Sequence, residues 1–155
     1  MKTLDALDRR ILDFLQQDAL LTNKELAARL NMSTTPVYER IRRLEEDGYI
    51  RRYVAILDKA KLGFQLTAYC NVQLKEHTKS FLKEFEARVG ALPEVIECYH
   101  IAGMYDYLLR VVVPDMDAYQ NFIVHKLADL PNIGNVQSSF VMTEIKYSTA
   151  LPVLE

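Results

Sequence analysis

The back half of this chain repeats itself. Phe81 and Tyr119, Phe85 and Ile123, Val89 and Leu127, Leu92 and Leu130, Pro93 and Pro131, and Val95 and Ile133 pair at one offset of 38 residues. The first three residues of each copy recur at the spacing of a helix's buried stripe, and the Leu-Pro pair then leads into a β-branched strand start. Ahead of the first copy, Leu66, Ala68, Cys70, Val72 and Leu74 alternate with Thr67, Tyr69, Asn71, Gln73 and Lys75. That alternation marks a strand with one face on a core. Further strands are expected from Val95 to about Ala102, from Tyr107 to Val113, and from about Val136 to Tyr147. Two copies are too few for a solenoid. They fit an α+β, ferredoxin-like βαββαβ sandwich, four antiparallel strands with two helices on one face. The other sheet face then needs a cover, and a second copy of the chain is the economical one.

The front of the chain has helical period. Asp5 can cap a helix with Asp8 three residues on, ahead of the apolar stripe Leu7, Ile11, Phe14 and Leu15. Thr22-Asn23-Lys24-Glu25 has the form of a capping box for a short helix whose apolar face is Leu26, Ala27 and Leu30. Asn31 tolerates the left-handed turn that ends it. Ser33 can cap a third helix, with Pro36 in its first turn and Gly48 at its end. Helix, tight turn and helix in this order are a helix-turn-helix. Val37, Ile41 and Leu44 face inward on a helical wheel, while Thr35, Tyr38, Glu39, Arg42 and Arg43 share the outward arc. Hydroxyls and arginines on a cylinder are what a major-groove reader presents to phosphates and base edges. The plain alternative is a solvated face with i,i+4 pairs such as Glu39 with Arg43. Tyr49 to Leu57 is rich in β-branched and aromatic residues and reads as a strand, with Arg51 and Arg52 early in it. Three domains are expected: a helix-turn-helix over 1–50, a strand and hinge linker over 51–63, and an effector-binding and oligomerisation domain over 64–155.

The charge balance is −2, from 19 basic and 21 acidic residues, so any nucleic-acid contact has to be local rather than through bulk positive charge. The longest apolar run, Tyr53 to Leu57, falls far short of the ~20 residues of a membrane span. Charged residues fill Met1 to Arg10 where a signal peptide is apolar, so a cytoplasmic protein is expected. Cys70 and Cys98 form no ligand cluster, and His77, His100 and His125 share no metal spacing. No nucleophile sits beside a base in any motif, so no enzyme, metal or cofactor is expected. The nine tyrosines could stack on single-stranded nucleic acid, but no run of basic residues accompanies them, and sheet packing is the simpler use.

Leu26-Ala27, the run from Ser33 through Glu45, Gly48-Tyr49-Ile50, Gly103-Met104-Tyr105-Asp106-Tyr107 and the tail Thr149-Ala150-Leu151-Pro152 together resemble the Lrp/AsnC family, the feast/famine transcription regulators. The resemblance implies a winged helix-turn-helix joined by a hinge to an amino-acid-sensing ferredoxin-like domain. It implies a regulator that binds double-stranded DNA sequence-specifically and pairs as homodimers that often assemble into octamers, with the effector between subunits. Ser33, Thr34, Thr35, Tyr38, Arg42 and Arg43 would meet DNA, and Arg51 and Arg52 its phosphates. Gly103, Met104, Tyr105 and Asp106 would line the effector pocket, with Ser138 and Ser139 nearby. Met104 stands where the family more often has a polar or acidic residue, which favours an apolar side chain such as leucine or methionine. In such a pocket Asp106 would supply an anion for the ammonium; the alternative is a hairpin turn in which Asp106 caps its own backbone. An effector-independent architectural DNA-binding protein is the rival reading.

Overall fold

A computed structural model describes residues 3–153 of the chain. They pack as two units, one of residues up to 56 together with those from 146 onward, the other of residues 57–145. The sequence groups all of 64–155 together, yet the last stretch packs with the helical unit. There the Gln16 side-chain amide meets both backbone groups of Leu151, donating to its carbonyl at 3.0 Å and accepting from its N–H at 2.7 Å.

The helical unit consists of α1 (Ala6–Gln17), α2 (Asn23–Leu30) and α3 (Thr34–Glu46). Both capping boxes form. Asp5 accepts from the Asp8 N–H while Asp8 accepts from the Asp5 N–H, and Thr22 and Glu25 reciprocate in the same way. Asn31 closes α2 in the left-handed region at φ 55° and Gly48 closes α3 at φ 78°. Ile11, Leu26, Leu30, Val37, Ile41 and Leu44 form the core that fixes the three helices against one another. The expected strand over Tyr49–Leu57 does not form. The segment is extended, but none of the described residues offers it a ladder, and Val54, Ile56 and Leu57 stay exposed.

In the second unit β1 (Leu66–Leu74), β2 (Val95–His100), β3 (Tyr107–Val113) and β4 (Ile133–Phe140) make one antiparallel sheet in the order β2-β3-β1-β4. The helices α4 (Lys79–Gly90) and α5 (Met116–Phe122), with the turn that continues α5, bury Phe85, Val89, Tyr119, Phe122 and Leu127 against Ala68, Cys70, Val72 and Leu74. β4 is shorter than the run to Tyr147 expected from sequence. Its partner β1 begins at Leu66, so the ladder runs out after Ala68 pairs Phe140 and the Val141 N–H bonds the Thr67 carbonyl.

The repeat is also shifted by one residue at its centre. Past Phe122 the helix widens into a π turn, Ile123–Leu127, in which the Ala128 N–H reaches the Ile123 carbonyl five residues back. Phe122 is therefore the buried counterpart of Phe85, and Ile123 is only partly buried. Tyr119, Phe122 and Leu127 form the stripe, in place of the expected Tyr119, Ile123 and Leu127.

Candidate nucleic-acid interface and effector loop

Burial of Val37, Ile41 and Leu44 turns Ser33, Thr34, Thr35, Tyr38, Glu39 and Arg42 of α3 and its cap to solvent. Ser33 starts the helix but makes no side-chain capping bond. The cause is local: an N-cap hydroxyl normally accepts from the third helical N–H, and that position is Pro36, which has none. The Ser33 hydroxyl and the first-turn amides thus stay available at the positive end of the helix dipole, a suitable place for a phosphate. Arg42 bonds Glu46 at 2.8 Å, with both side chains well exposed, and this bond pushes the guanidinium's already high pKa further up. A surface pair of this kind exchanges readily for a phosphate.

Arg43 departs from the wheel, and it pairs with Asp8 rather than with Glu39 as the solvated-face alternative would have it. Its Nη2 lies 2.5 Å from Asp8 Oδ2, and Asp8 is 1% exposed. Arg40, which the sequence reading passed over, donates through Nη1 to Asp8 at 2.7 Å and to Asp5 at 2.6 Å. One buried carboxylate on α1 thus holds two guanidiniums of α3, which ties the exposed face of α3 to the rest of the unit. The signal for this was in the sequence, since Asp8 occupies the third position of α1, next to its buried stripe, where a carboxylate needs a partner.

Arg51 and Arg52 are exposed in the extended segment after α3. Without a strand ladder, contacts to the helical unit hold that segment, with Tyr49 and Ile50 packed on its core. The Ile50 N–H donates to the Leu44 carbonyl at 3.1 Å, and the Tyr53 hydroxyl donates to Glu45 at 2.8 Å. Burial and then the Glu45 bond push the Tyr53 hydroxyl up to about 12, so it remains a donor throughout the working pH range. Tyr53→Phe is expected to free the arginine pair from α3 and weaken DNA binding about threefold, of the order of one solvent-exposed hydrogen bond. Fluorescence anisotropy on a labelled fragment measures it, and unchanged affinity would show that the clamp does not place the arginines.

In the second unit the β2–β3 loop runs from Ile101 to Asp106. Gly103 takes φ 150°, a conformation that L side chains avoid. Met104 is 80% exposed. Asp106 does not cap its own backbone. Its Oδ2 accepts from the Leu74 N–H at 2.7 Å, its Oδ1 faces His77 Nε2 at 2.9 Å, and its own N–H donates to the Val72 carbonyl. It anchors the loop to the end of β1. The Tyr105 hydroxyl donates to Gln137 of β4.

Ser138 and Ser139 cannot line one surface, because neighbours on a strand point to opposite faces. Ser138 pairs with Cys70 and accepts a hydrogen bond from the Tyr119 hydroxyl on the helix side, whereas Ser139 pairs with Tyr69 on the bare side. Tyr105, Gln137 and Ser139 are the ones the structure brings together on that bare side. Among the described residues no group of three or more acidic, histidine or cysteine side chains could hold a metal ion, and no helix is long and apolar enough to cross a membrane.

Residues 4–51 match the model of the winged helix-turn-helix DNA-binding domain, and residues 67–151 match that of the Lrp/AsnC ligand binding domain. The chain belongs to the Lrp/AsnC family. Similar to it is the DNA-binding transcriptional activator DecR of Escherichia coli K12, 41% identical over 150 residues that span 97% of this chain and 99% of the relative. An AsnC family transcriptional regulator from Agrobacterium tumefaciens superposes with a TM-score of 0.93 at 45% identity, over 97% of each chain. A transcriptional regulator from Neisseria meningitidis, solved in complex with L-Met, gives 0.94 at 37% identity, also over 97% of each. As an Lrp/AsnC protein the chain is a DNA-binding transcription regulator, and these relatives are regulators rather than enzymes.

Proposed function

We propose that this Lrp/AsnC regulator reads a pseudo-palindromic DNA site in the cytoplasm and responds to an amino acid with an apolar side chain. The observation that carries the reading is the division of α3, with Val37, Ile41 and Leu44 buried and Thr35, Tyr38 and Arg42 exposed. α3 enters the major groove with those three residues nearest the bases. Ser33 and Thr34 meet a phosphate at its amino end, and Arg51 and Arg52 meet phosphates beside it. Arg43, held by Asp8, acts chiefly by placing the helix. The effector lies at Gly103 to Asp106, with Tyr105 and Ser139 contributing from the bare sheet side and Asp106 keeping the loop in shape. Exposed Met104 and a relative crystallised with L-Met both favour leucine or methionine. Tyr69 and Tyr99 stand exposed on the bare sheet face, and a second subunit covers them there. Dimers then assemble further, toward an octamer.

The test is DNA binding by anisotropy on promoter fragments across a salt series, with and without each of the twenty amino acids. Affinity should fall steeply with salt. At least one apolar amino acid should shift it, with DNA changing that amino acid's affinity by the same factor. Binding that ignores both sequence and amino acids would overturn the proposal in favour of an architectural role.

A further inference from the structure

At the end of β3 remote from the Gly103–Asp106 loop lies a cavity of about 350 Å³. Its walls are mainly apolar, with Phe64, Val112, Pro114 and Phe122 among them, and Glu94 and Lys126 bring opposite charges into the lining. The Lys126 ammonium donates to Glu94 Oε1. The second oxygen of the same carboxylate, Oε2, is buried and has no hydrogen-bond partner among the described residues. A carboxylate oxygen withdrawn from water with no donor is costly and rare in folded proteins. The Glu94 main chain is fixed beside the cavity, its carbonyl accepting from the Val112 N–H at 2.9 Å. Lys126 has three N–H donors, and its bond to Glu94 uses one of them.

A mainly apolar recess of a few hundred cubic ångströms with a small number of convergent polar groups, here open to solvent on one side, is a usual form of a small-molecule site. The polar groups here define the ligand. The carboxylate asks for a cationic N–H donor, the ammonium can take an anion, and the remaining wall, Asn121 apart, asks for hydrocarbon or thioether. An α-amino acid with an apolar side chain meets all three demands, whereas an amine meets only the first and a carboxylate only the second.

We propose that this cavity is a second amino-acid site, with the ligand's ammonium on Glu94, its carboxylate on Lys126 and its side chain against Phe64 and Phe122. The site is separate from the loop. The loop precedes the first residue of β3 and the cavity adjoins its last, which places them about 20 Å apart along the strand. Phe64 closes the polar turn that joins the sheet to the preceding chain, its N–H donating to the Lys59 carbonyl at 2.9 Å, so an occupant touches that connection directly.

Isothermal titration of the full-length protein with L-leucine and with L-methionine tests the proposal. Glu94→Gln and Lys126→Met should each weaken one class of sites about tenfold or more and leave a second class intact. Ala118→Leu, which keeps both charges and fills the cavity, should abolish the same class, and thermal unfolding checks that each variant is folded. Isoamylamine and isocaproate, each carrying one of the two charged groups, should bind more weakly than leucine. A single class of heat unchanged in folded Glu94→Gln and Ala118→Leu, or no heat at all in the wild type, would overturn the proposal. Loss of heat only in a Gly103→Val variant would leave the loop as the one amino-acid site.

Discussion

Asp8→Ala will lower the protection of the helical unit against hydrogen exchange by about a hundredfold at the amides of Leu26, Ile41 and Leu44, equivalent to about 3 kcal/mol. Asp8 is 1% exposed and serves two guanidiniums, while Arg40 and Arg43 keep 26% and 33% of their side-chain surface in water. Removing the shared anion strands two cations whose partial hydration softens the loss, which is why the figure lies at the low end for a broken buried pair. Asp8→Asn keeps an oxygen acceptor for the Asp5 N–H and removes only the charge, so it should cost less.

The same cluster has a pH signature. The Asp8 backbone N–H, and after it the Arg40 guanidinium, hold the Asp5 carboxyl below the usual carboxylate range. A lowered value means that the stabilisation is fully present above the ordinary pKa of about 3.9 and disappears as pH falls through the lowered one. Protection in the helical unit should therefore start to fall just below pH 4, and Asp5→Asn should flatten that part of the profile. If exchange in Asp8→Ala matches the wild type, the apolar stripe alone sets the placement of α3.

Replacing Arg42, Arg51 and Arg52 together with alanine should weaken DNA binding about a hundredfold in low salt. Each phosphate contact contributes roughly 0.9 to the slope of log affinity against log salt, so that slope should become shallower by roughly 2.5 to 3. None of the three supports the helical core. Arg42 bonds only the exposed Glu46, and Arg51 and Arg52 lie in the exposed segment, so stability should hardly change. Arg43→Ala is the contrasting variant. Its guanidinium is committed to Asp8, so it should lose stability while leaving the salt slope nearly as steep. An undiminished slope in the triple variant would place the phosphate contacts elsewhere.

How far the residues announced these features depended on range. The capping boxes at Asp5 and Thr22, the left-handed Asn31 and the stop at Gly48 are settled within a few residues, and the structure has each of them. Alternation from Leu66 to Leu74 gave the central strand because a sheet face needs no information about its partner. Arg43 could not be placed from α3 alone, since its direction is set by a carboxylate 35 residues away. The segment Tyr49–Leu57 has the composition of a strand, but composition does not supply a neighbour. Ser138 and Ser139 came from family resemblance without regard to the strand's period, and the pleat separates them. The π turn was hidden because the copies match on both sides of it at one constant offset.

That turn leaves spare length in one place. Between its buried anchors Phe122 and Leu127 the last helix holds one residue more than the corresponding stretch from Phe85 to Val89. Deleting a single residue from 124–126 would be absorbed as unbroken helix of ordinary pitch, with both anchors still seated. The same deletion between Phe85 and Val89 would swing an anchor roughly 100° around the axis. Of the two helices that cover the sheet, only the second can lose a residue and keep its grip, so natural single-residue deletions within these helices should collect there.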